Sequence, residues 1–353
     1  MQRKKPDGGG ADMIRGAYKS LKELVRVRVL KQVKAKFLYL EITHRCNLAC
    51  VACYTGAGRE KDDVLTLEEQ KSVIRQGRAM GVRSVSLSGS GEPLMCRHLF
   101  DLLDYVGELG MSAVIFTNGT LIDEATAGQL MSRNVFTFFK LYSLDPDVFD
   151  GMVGRRNAYE WTEHRYKVQG EERVQMVPSG LKALLEAQRS VGRSDLVKVE
   201  TLVTKMNIVG VSAIARFCRD CDIGFFMETP VFKGRAIENY ERVAVSAEDY
   251  AKLYGELAAI FGEDYMLELK NACCLVERNP VVWTDGRIGF CSSRAADVGN
   301  VRDEPLKGLF LKARRMKHKE DRVIKKRAAE GRYFRTCPSR QLCEIRHGLP
   351  CDY

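Results

Sequence analysis

The sequence predicts an α/β protein whose parallel β-sheet is curved into a full or partial barrel. From Phe37 to about residue 262, short apolar or β-branched runs alternate with amphipathic stretches of helical period, which is the pattern of repeated βα units. Six such units with right-handed crossovers bend a parallel sheet towards a barrel. Because functional residues of these sheets gather at the carboxyl ends of the strands, motifs at those ends are the most informative.

The element boundaries follow from the same alternation. The predicted strands are Phe37–Thr43, Ser84–Ser88, Ser112–Thr117, Phe136–Tyr142, Leu196–Val203 and Gly224–Val231. The predicted helices are Leu65–Met80, Arg97–Leu109, Asp123–Ser132, Leu181–Val191, Val209–Cys221 and Ala247–Phe261.

Departures from this pattern divide the chain. Residues 1–36 are a basic N-terminal extension, and apolar side chains at helical spacing in residues 14–36 predict a lead-in helix packed on the barrel, with a membrane-surface helix as the alternative. Residues 37–264 form the barrel. Residues 146–179 interrupt it after the fourth strand, and a loop of this length is typical of a lid or substrate wall, or else is disordered. Residues 265–353 lose the βα pattern and are predicted to form a second, smaller domain that is rich in cysteine.

Composition and charge limit the classes of function. The sequence has no run of about 18 apolar residues, and its basic N-terminus lacks the apolar core of a secretory signal, so we expect a cytoplasmic protein. Much of the net charge of +10 lies in residues 1–36 and in the segment from Lys307 to Arg335. Because aromatic side chains for base stacking are almost absent from that segment, a solvated helix face is favoured over a contact with nucleic acid.

The 12 cysteines are interpreted as metal ligands or redox groups, because disulfides are rare in a reducing compartment. Cys96, Cys218 and Cys221 occur singly or on a helical pattern and are interpreted as core or incidental thiols. The others form one group near the N-terminus and one group in the C-terminal part of the chain.

The first group, Cys46-Asn-Leu-Ala-Cys50-Val-Ala-Cys53, begins just after the first predicted strand. Three thiolates in one compact loop can bind three corners of an iron–sulfur cube and leave the fourth iron without a protein ligand. An open coordination position is typical of a catalytic metal centre. A zinc site or a redox-active Cys50–Cys53 pair is the alternative, although no second pair of zinc ligands lies nearby in the sequence.

Polar segments follow the next two predicted strands and belong to the same edge of the sheet. The segment Ser86-Leu-Ser-Gly-Ser-Gly-Glu-Pro93 contains glycines that allow the backbone to approach a ligand, and its Glu92 can hold an ammonium group. The segment Thr117-Asn118-Gly119-Thr120 ends the third strand. These segments therefore indicate one ligand-binding rim beside the three cysteines.

In order and spacing, these three motifs resemble those of the radical S-adenosylmethionine (SAM) superfamily, over roughly residues 37–262. The resemblance implies a partial (β/α)6 barrel similar to a TIM barrel, and a [4Fe–4S] cluster on Cys46, Cys50 and Cys53. It also implies that the amino and carboxylate groups of SAM chelate the open iron. The implied activity is reductive cleavage of SAM to a 5′-deoxyadenosyl radical, which abstracts hydrogen from a substrate carbon, with electrons from a donor such as flavodoxin or ferredoxin.

The resemblance also implies cofactor contacts along the rim. The contacts to the amino group of SAM are Ser90, Gly91 and Glu92, a contact to the ribose is Ser143, and further cofactor-binding candidates are Asn118, Thr204 and Glu228. One position departs from the family pattern, because Ala52 stands where an aromatic residue usually precedes the third cysteine, and Tyr54 follows instead.

The second cysteine group comprises Cys273, Cys274, Cys291, Cys337, Cys343 and Cys351. A turn at Thr284-Asp285-Gly286 predicts a hairpin between Val281–Trp283 and Arg287–Phe290, which would bring Cys274 close to Cys291. With the two cysteines of the Cys337–Cys343 segment, four thiolates complete either a closed [4Fe–4S] site or a structural zinc site.

This second group resembles the C-terminal SPASM or twitch domain of many radical SAM enzymes. The resemblance implies one auxiliary [4Fe–4S] cluster on Cys274, Cys291, Cys337 and Cys343, with Cys273 and Cys351 as alternative ligands. It also implies oxidation or rearrangement of a peptide or small molecule, in peptide maturation or in natural-product or cofactor biosynthesis. The alternatives are an RNA-modifying radical SAM enzyme and a non-catalytic iron–sulfur or zinc protein. The sequence singles out no catalytic acid or base.

Overall fold

A computed structural model describes residues 35–262, 279–291 and 294–316. Its strands are Phe37–Glu41 (β1), Ser84–Ser88 (β2), Ser112–Thr117 (β3), Phe136–Lys140 (β4), Trp161–Val168 (β5), Glu171–Pro178 (β6), Val197–Leu202 (β7), Gly224–Glu228 (β8), Val281–Val282 (β9), Arg287–Cys291 (β10) and Arg294–Asn300 (β11). Its helices are Leu67–Ala79 (α1), Leu99–Glu108 (α2), Glu124–Ser132 (α3), Pro146–Val153 (α4), Ser179–Ser190 (α5), Ile208–Asp220 (α6), Arg235–Glu238 (α7), Tyr240–Val243 (α8) and Ala247–Phe261 (α9).

The main sheet has nine strands in the order β11-β10-β9-β1-β2-β3-β4-β7-β8. The strands β1, β2, β3, β4, β7 and β8 are parallel, and each pairs with the next. A helix follows each of the first five before the chain returns to the sheet. The predicted α/β fold with six parallel strands is therefore confirmed.

The two faces of the parallel strands have different surroundings. Leu38, Leu40 and Phe139 are fully buried on the face that packs against the helices. Because side chains alternate along a strand, Tyr39 and Lys140 lie on the opposite face, where both are only half-buried. That second face is the interior of the curved sheet.

A hydrogen bond between the segments that follow β1 and β8 shows the curvature of the sheet. Strands β1 and β8 are five strands apart in the sheet order. In a flat sheet this separation would be roughly 24 Å. The segments that follow these two strands nevertheless meet, because Nε of Arg235, at the start of α7 after β8, donates to the carbonyl oxygen of Cys50, in the loop after β1, at 3.0 Å. The two strands thus approach each other across the interior, as in a partial barrel.

The insertion at residues 146–179 forms regular structure and not a long loop. It consists of α4 and the antiparallel hairpin β5–β6, whose turn has Gln169 and Gly170 at positive φ, 51° and 90°, as in a type I′ turn. The rings of His164 and Tyr166 contact Phe217 on α6, so the hairpin lies on the outer helices. The insertion is therefore ordered, and its predicted role as a lid or substrate wall stays a prediction.

Strands β9 to β11 extend the barrel sheet beyond β1. β9 pairs in parallel with β1 and antiparallel with β10, which confirms the predicted hairpin. Gly286 lies in its turn with a φ of 83°, and a Cβ there would overlap the side chain of Asn300. Residues 306–316 are helical, and their Leu309 and Phe310 are buried in the same core as the barrel helices.

Most of the predicted domain limits lie in segments outside the described residues. Residues 1–34, 263–278 and 317–353 lie outside the described residues, so the N-terminal extension and the domain at 265–353 stay predictions. Among the residues that are described, no helix is both long enough and apolar enough to cross a membrane.

Candidate active site

The cysteine loop leaves the carboxyl end of β1, and the end of α4 holds one side of it. The N–H groups of Ala49 and Val51 donate to the carbonyl oxygens of Val153 and Met152 at 3.1 and 2.9 Å. Gly154 ends α4 in the left-handed conformation with a φ of 69°. A Cβ at this position would overlap the carbonyl group of Ala49, so the close approach of helix and loop requires glycine.

Arg235, at the start of α7, holds the other side of the loop. Its Nε donates to the carbonyl oxygen of Cys50 at 3.0 Å, and its Nη1 donates to that of Ala57 at 3.1 Å. Asn239 adds a bond from Nδ2 to the carbonyl oxygen of Val51 at 3.3 Å. These bonds fix the loop backbone and place a positive charge beside the thiols.

The three thiols are free and half-buried, but their electrostatic surroundings differ. Burial, reinforced by the thiol of Cys53, raises the pKa of Cys50 to about 12, and burial also raises the pKa of Cys46. At Cys53, burial is outweighed by hydrogen bonds from the Thr55 hydroxyl and the backbone and by the charge of Arg235, which lower its pKa. Thiolates grouped in this way need positive charge, and iron supplies it, so this donor set fits a [4Fe–4S] cluster.

The three thiols are not arranged around one point. In the part of the chain that the structure describes, no three His, Cys, Asp or Glu side chains converge as they would on a single metal ion. In a cubane cluster each thiolate binds a different iron, so the ligands need not converge. The assignment of Cys46, Cys50 and Cys53 as cluster ligands stays a prediction.

The loop after β2 lies directly against the cysteine loop. The N–H of Glu92 donates to the carbonyl oxygen of Arg45 at 2.8 Å. A Cβ on Gly91 would overlap this same carbonyl group, and a Cβ on Gly89, whose φ is 125°, would overlap the side chain of Glu41. Contacts within the protein therefore require these two glycines, whereas the sequence pattern predicted that they make room for a ligand.

Ser90 connects this loop to β1 and to the cysteine loop. Its hydroxyl donates to Oε2 of Glu41 at 2.5 Å, and its carbonyl oxygen accepts from the hydroxyl of Thr55 at 2.8 Å. Burial raises the pKa of the Glu41 carboxyl to about 7. Ser90 thus orders the rim, and its predicted contact with SAM stays a prediction.

The buried carboxylate of Glu92 ties the loop after β2 to the end of β3. Its Oε1 accepts from the N–H of Leu94 at 3.1 Å and from the hydroxyl of Thr117 at 2.7 Å, and its Oε2 accepts from the N–H of Asn118 at 2.7 Å. Burial raises the pKa of Glu92 despite these bonds. A carboxylate offers about four acceptor positions, so one remains for the predicted amino group of SAM.

Asn118 brings the end of β3 beside the cysteines. Its Nδ2 donates to Oδ1 of Asn47 at 3.0 Å and lies 4.0 Å from Sγ of Cys46. Its carbonyl oxygen accepts from the hydroxyl of Tyr159 at 2.8 Å. Tyr159 lies in the insertion between α4 and β5, so the insertion does contribute a residue to the rim, which the sequence pattern did not single out.

The remaining predicted cofactor contacts have different surroundings. Oγ of Ser143 accepts from the N–H of Asp145 at 2.9 Å. Thr204 is fully buried, and its hydroxyl donates to Oδ1 of Asn207 at 3.0 Å. Both hydroxyls are therefore engaged within the protein. Glu228 is exposed at the carboxyl end of β8, on the interior face of the sheet. Their contacts with SAM stay predictions.

Replacing Arg235 should weaken the cysteine loop. Arg235→Ala removes two hydrogen bonds to the loop backbone, and loss of a residue that orients metal ligands typically costs about 10–100-fold in metal affinity. We expect the anaerobically reconstituted variant to lose iron to a chelator faster than the wild type. Arg242→Ala, at an exposed position of α8, is the matched control and should retain iron normally. Equal iron loss in both variants would contradict the role of Arg235.

The second cysteine group is mostly beyond the described structure. Cys273, Cys274, Cys337, Cys343 and Cys351 lie outside the described residues. The backbone of Cys291 is described as the last residue of β10, which follows the confirmed hairpin turn. The ligand set of the auxiliary site stays a prediction.

Comparison with known proteins points to the same region of the chain. Residues 40–167, which include the cysteine loop, the Glu92 loop and Asn118, match one family model. That model describes the Radical SAM superfamily. The match covers just over a third of the chain and extends from β1 into β5.

Curated relatives match this chain over part of their length. Fe-coproporphyrin III synthase of Methanosarcina barkeri is 42% identical over 123 residues, which are 33% of this chain and 30% of that protein. The probable GTP 3′,8-cyclase of Sulfolobus acidocaldarius is 27% identical over 188 residues, or 53% of each protein. The subtilosin biosynthesis protein AlbA of Bacillus subtilis is 23% identical over 177 residues, or 50% of this chain and 37% of AlbA. The chain thus spans about half or less of these relatives.

Several solved structures share the fold. SuiB of Streptococcus suis, bound to the precursor peptide SuiA, superposes with a TM-score of 0.61 over 88% of this chain and 72% of SuiB, at 16% identity. The protein anSMEcpe, solved with bound AdoMet (SAM), superposes with a TM-score of 0.54 over 78% of this chain and 80% of the anSMEcpe chain, at 17% identity. At such low identity the likeness shows the common α/β barrel fold alone.

Proposed function

We propose that this chain is a radical SAM enzyme that binds a [4Fe–4S] cluster through Cys46, Cys50 and Cys53, cleaves SAM reductively and abstracts hydrogen from a substrate carbon. The proposal rests on one observation. The three-thiol loop after β1 is in direct contact with the Glu92 loop after β2, and Asn118 lies beside both. The match of residues 40–167 to the Radical SAM superfamily covers the same three segments and supports it.

The residues of the chain itself act by holding and shaping this site. Arg235 and the end of α4 hold the cysteine loop from its two sides. Glu92 is oriented by Thr117 and Asn118, which leaves one acceptor position for an ammonium group. When bound, the cluster supplies the electron that breaks a carbon–sulfur bond of SAM.

Anaerobic turnover tests the proposal. The reconstituted protein, reduced with dithionite or with flavodoxin or ferredoxin as electron donor, should convert SAM to 5′-deoxyadenosine, measured by liquid chromatography. Omission of the reductant is the control and should abolish the product. If a protein with its full iron content forms no 5′-deoxyadenosine, the proposal fails, and the alternative of a non-catalytic iron–sulfur protein is supported.

For the C-terminal cysteines we propose one auxiliary [4Fe–4S] cluster on Cys274, Cys291, Cys337 and Cys343. The confirmed hairpin at Gly286, which leads into Cys291, supports the predicted spacing. At four irons per cubane, reconstituted protein should contain about eight irons per chain. The double variant of Cys337 and Cys343 to Ala should contain about four and keep the SAM-binding cluster. About four irons in the wild type would contradict the auxiliary cluster.

For the reaction class we propose oxidation or rearrangement in peptide maturation, or in cofactor or natural-product biosynthesis. The names of the similar proteins support both settings, because SuiB was solved with a precursor peptide and AlbA is a bacteriocin biosynthesis protein, whereas another relative is a GTP 3′,8-cyclase. Stimulation of 5′-deoxyadenosine formation by peptides, compared with nucleotides and tetrapyrroles, would separate these settings. Stimulation by RNA alone would instead favour the nucleic-acid alternative.

A further inference from the structure

The interior face of the barrel carries three charged side chains, of which only Glu228 has so far been given a role, as a predicted contact of SAM. Lys140 on β4 pairs in register with Glu200 on β7, and their Nζ and Oε2 atoms lie 4.0 Å apart. Glu228 ends the next strand, β8, on the same face. We call Lys140, Glu200 and Glu228 the interior charge cluster.

Two carboxylates in this cluster face a single ammonium group. The side chain of Glu200 is only 4% exposed, and its Oε2 has no hydrogen-bond partner in the described part of the chain. Burial, followed by the charge of Glu228, raises the pKa of Glu200 well above its usual range. Burial would lower the pKa of Lys140, but Glu200 and Glu228 outweigh it and raise that pKa. Glu200 therefore holds its proton at neutral pH, and a second cation beside the cluster would favour its ionisation.

The cluster is open to the interior of the barrel. About a third of the Lys140 side chain is exposed, 34%, although its strand lies in the middle of the sheet, and Glu228 is exposed as well. A group that enters the barrel can thus contact Glu228 without displacing a helix, and Glu200, which is only 4% exposed, lies on the neighbouring strand of the same face.

Aromatic rings lie beside the cluster on the same face. Phe116 and Phe138 stack with ring centroids 4.5 Å apart, and Phe226 meets Phe138 edge-on at 6.2 Å. All three are only half-buried. The faces of aromatic rings attract cations and provide apolar surface for the body of a ligand. The two carboxyl groups and the ring faces both favour a cationic ligand.

We infer that the interior face of β4, β7 and β8 binds a cationic group of the substrate, an ammonium or guanidinium, with Glu200 and Glu228 as its counter-charges and the phenylalanine rings beside it. This inference rests on the proposed function, because it concerns the substrate of that same barrel. It gives Glu228 a substrate contact in place of its predicted cofactor contact.

The test uses two small aromatic probes of opposite charge. Equilibrium dialysis of isotope-labelled phenethylammonium and of 3-phenylpropionate is carried out with the reconstituted protein at saturating SAM, so that the proposed SAM site is filled and the probes cannot bind there instead. The wild type should bind phenethylammonium at least about fivefold more tightly, which is the order expected for one partly exposed charge pair. Preference for the carboxylate probe, or no measurable binding of the ammonium probe, would overturn the inference.

Glu228→Gln keeps the shape of the side chain and removes its charge at an exposed position, so the variant is expected to fold. It should weaken phenethylammonium binding about fivefold and leave 3-phenylpropionate binding no weaker. Glu108→Gln, at an exposed position of α2, is the matched control and should bind like the wild type. Unchanged binding in Glu228→Gln would overturn the inference. The same preparation is assayed for 5′-deoxyadenosine. Absence of SAM cleavage would refute the proposed function, whereas the preference for one probe over the other tests only this inference.

Discussion

The Cys50→Ala variant is expected to form at least about 100-fold less 5′-deoxyadenosine than the wild type after anaerobic reconstitution. Loss of a residue that merely orients a metal ligand already costs about 10–100-fold, and loss of the ligand itself should cost more. The thiol of Cys50 is buried, and the carbonyl oxygen of the same residue accepts a hydrogen bond from Arg235, so no neighbouring cysteine replaces it without rearranging the loop. Liquid chromatography of the product and iron analysis measure the two effects.

Cys221→Ala is the matched control for that experiment. Cys221 is a free, half-buried thiol at the end of α6, and no contact connects it with the cysteine loop in the described residues. Its replacement should leave both iron content and 5′-deoxyadenosine formation close to the wild-type values. If Cys50→Ala keeps the iron and the activity of the wild type, Cys50 is not a cluster ligand and the assignment of the loop fails.

The Gly91→Ala variant should be the most damaging single methyl addition at the rim. The added Cβ would overlap the carbonyl group of Arg45 and break the contact in which the N–H of Glu92 donates to that oxygen at 2.8 Å. Overpacking of this kind costs about 1–3 kcal/mol in the free energy of unfolding. Displacing the Glu92 loop by about 1 Å should lower the rate of SAM cleavage about 100-fold. Thermal unfolding and product formation measure the two effects.

Gly107→Ala separates this effect from a general effect of replacing glycine. Gly107 lies in α2, and a Cβ there would meet no atom within 4 Å. Alanine favours helix more than glycine does, so this variant should be as stable as the wild type or slightly more stable. Wild-type activity in Gly91→Ala would show that the contact between the two loops does not position the site.

Much of the fold was predictable because its signals are local. The strands Ser84–Ser88 and Ser112–Thr117 and the helix Ala247–Phe261 have the predicted limits. Other predicted strands are too long at their ends, since β4 ends at Lys140 and β8 ends at Glu228, before Thr229-Pro230. Apolar residues continue past those points, but the regular strand pairing ends there. Past Lys140 one bond follows, from the N–H of Leu141 to the carbonyl oxygen of Glu200 at 3.0 Å, and after β8 Pro230 cannot donate to a sheet.

The hairpin in the insertion was missed for a similar reason. Gln169-Gly170 is a less familiar turn pair than Asn-Gly, and the strands on either side carry many charged residues because one of their faces is in solvent. Gly170 between two alternating runs was the available signal. No local signal marks Tyr159, because its role depends on a hydrogen bond from its hydroxyl to the carbonyl oxygen of Asn118, which follows β3.

By itself, the sequence determined the βα order, the position of three cysteines at the end of β1 and the polar segments at the ends of β2 and β3, because periodicity and motif spacing involve residues that are neighbours in the chain. Only the tertiary structure decided what holds those cysteines, since Arg235 bonds to a carbonyl 185 residues earlier. It also decided why Gly91 is glycine, and that Lys140, Glu200 and Glu228 share one face. These outcomes depend on which strands become neighbours and which way each side chain points, and the curvature of the sheet sets both.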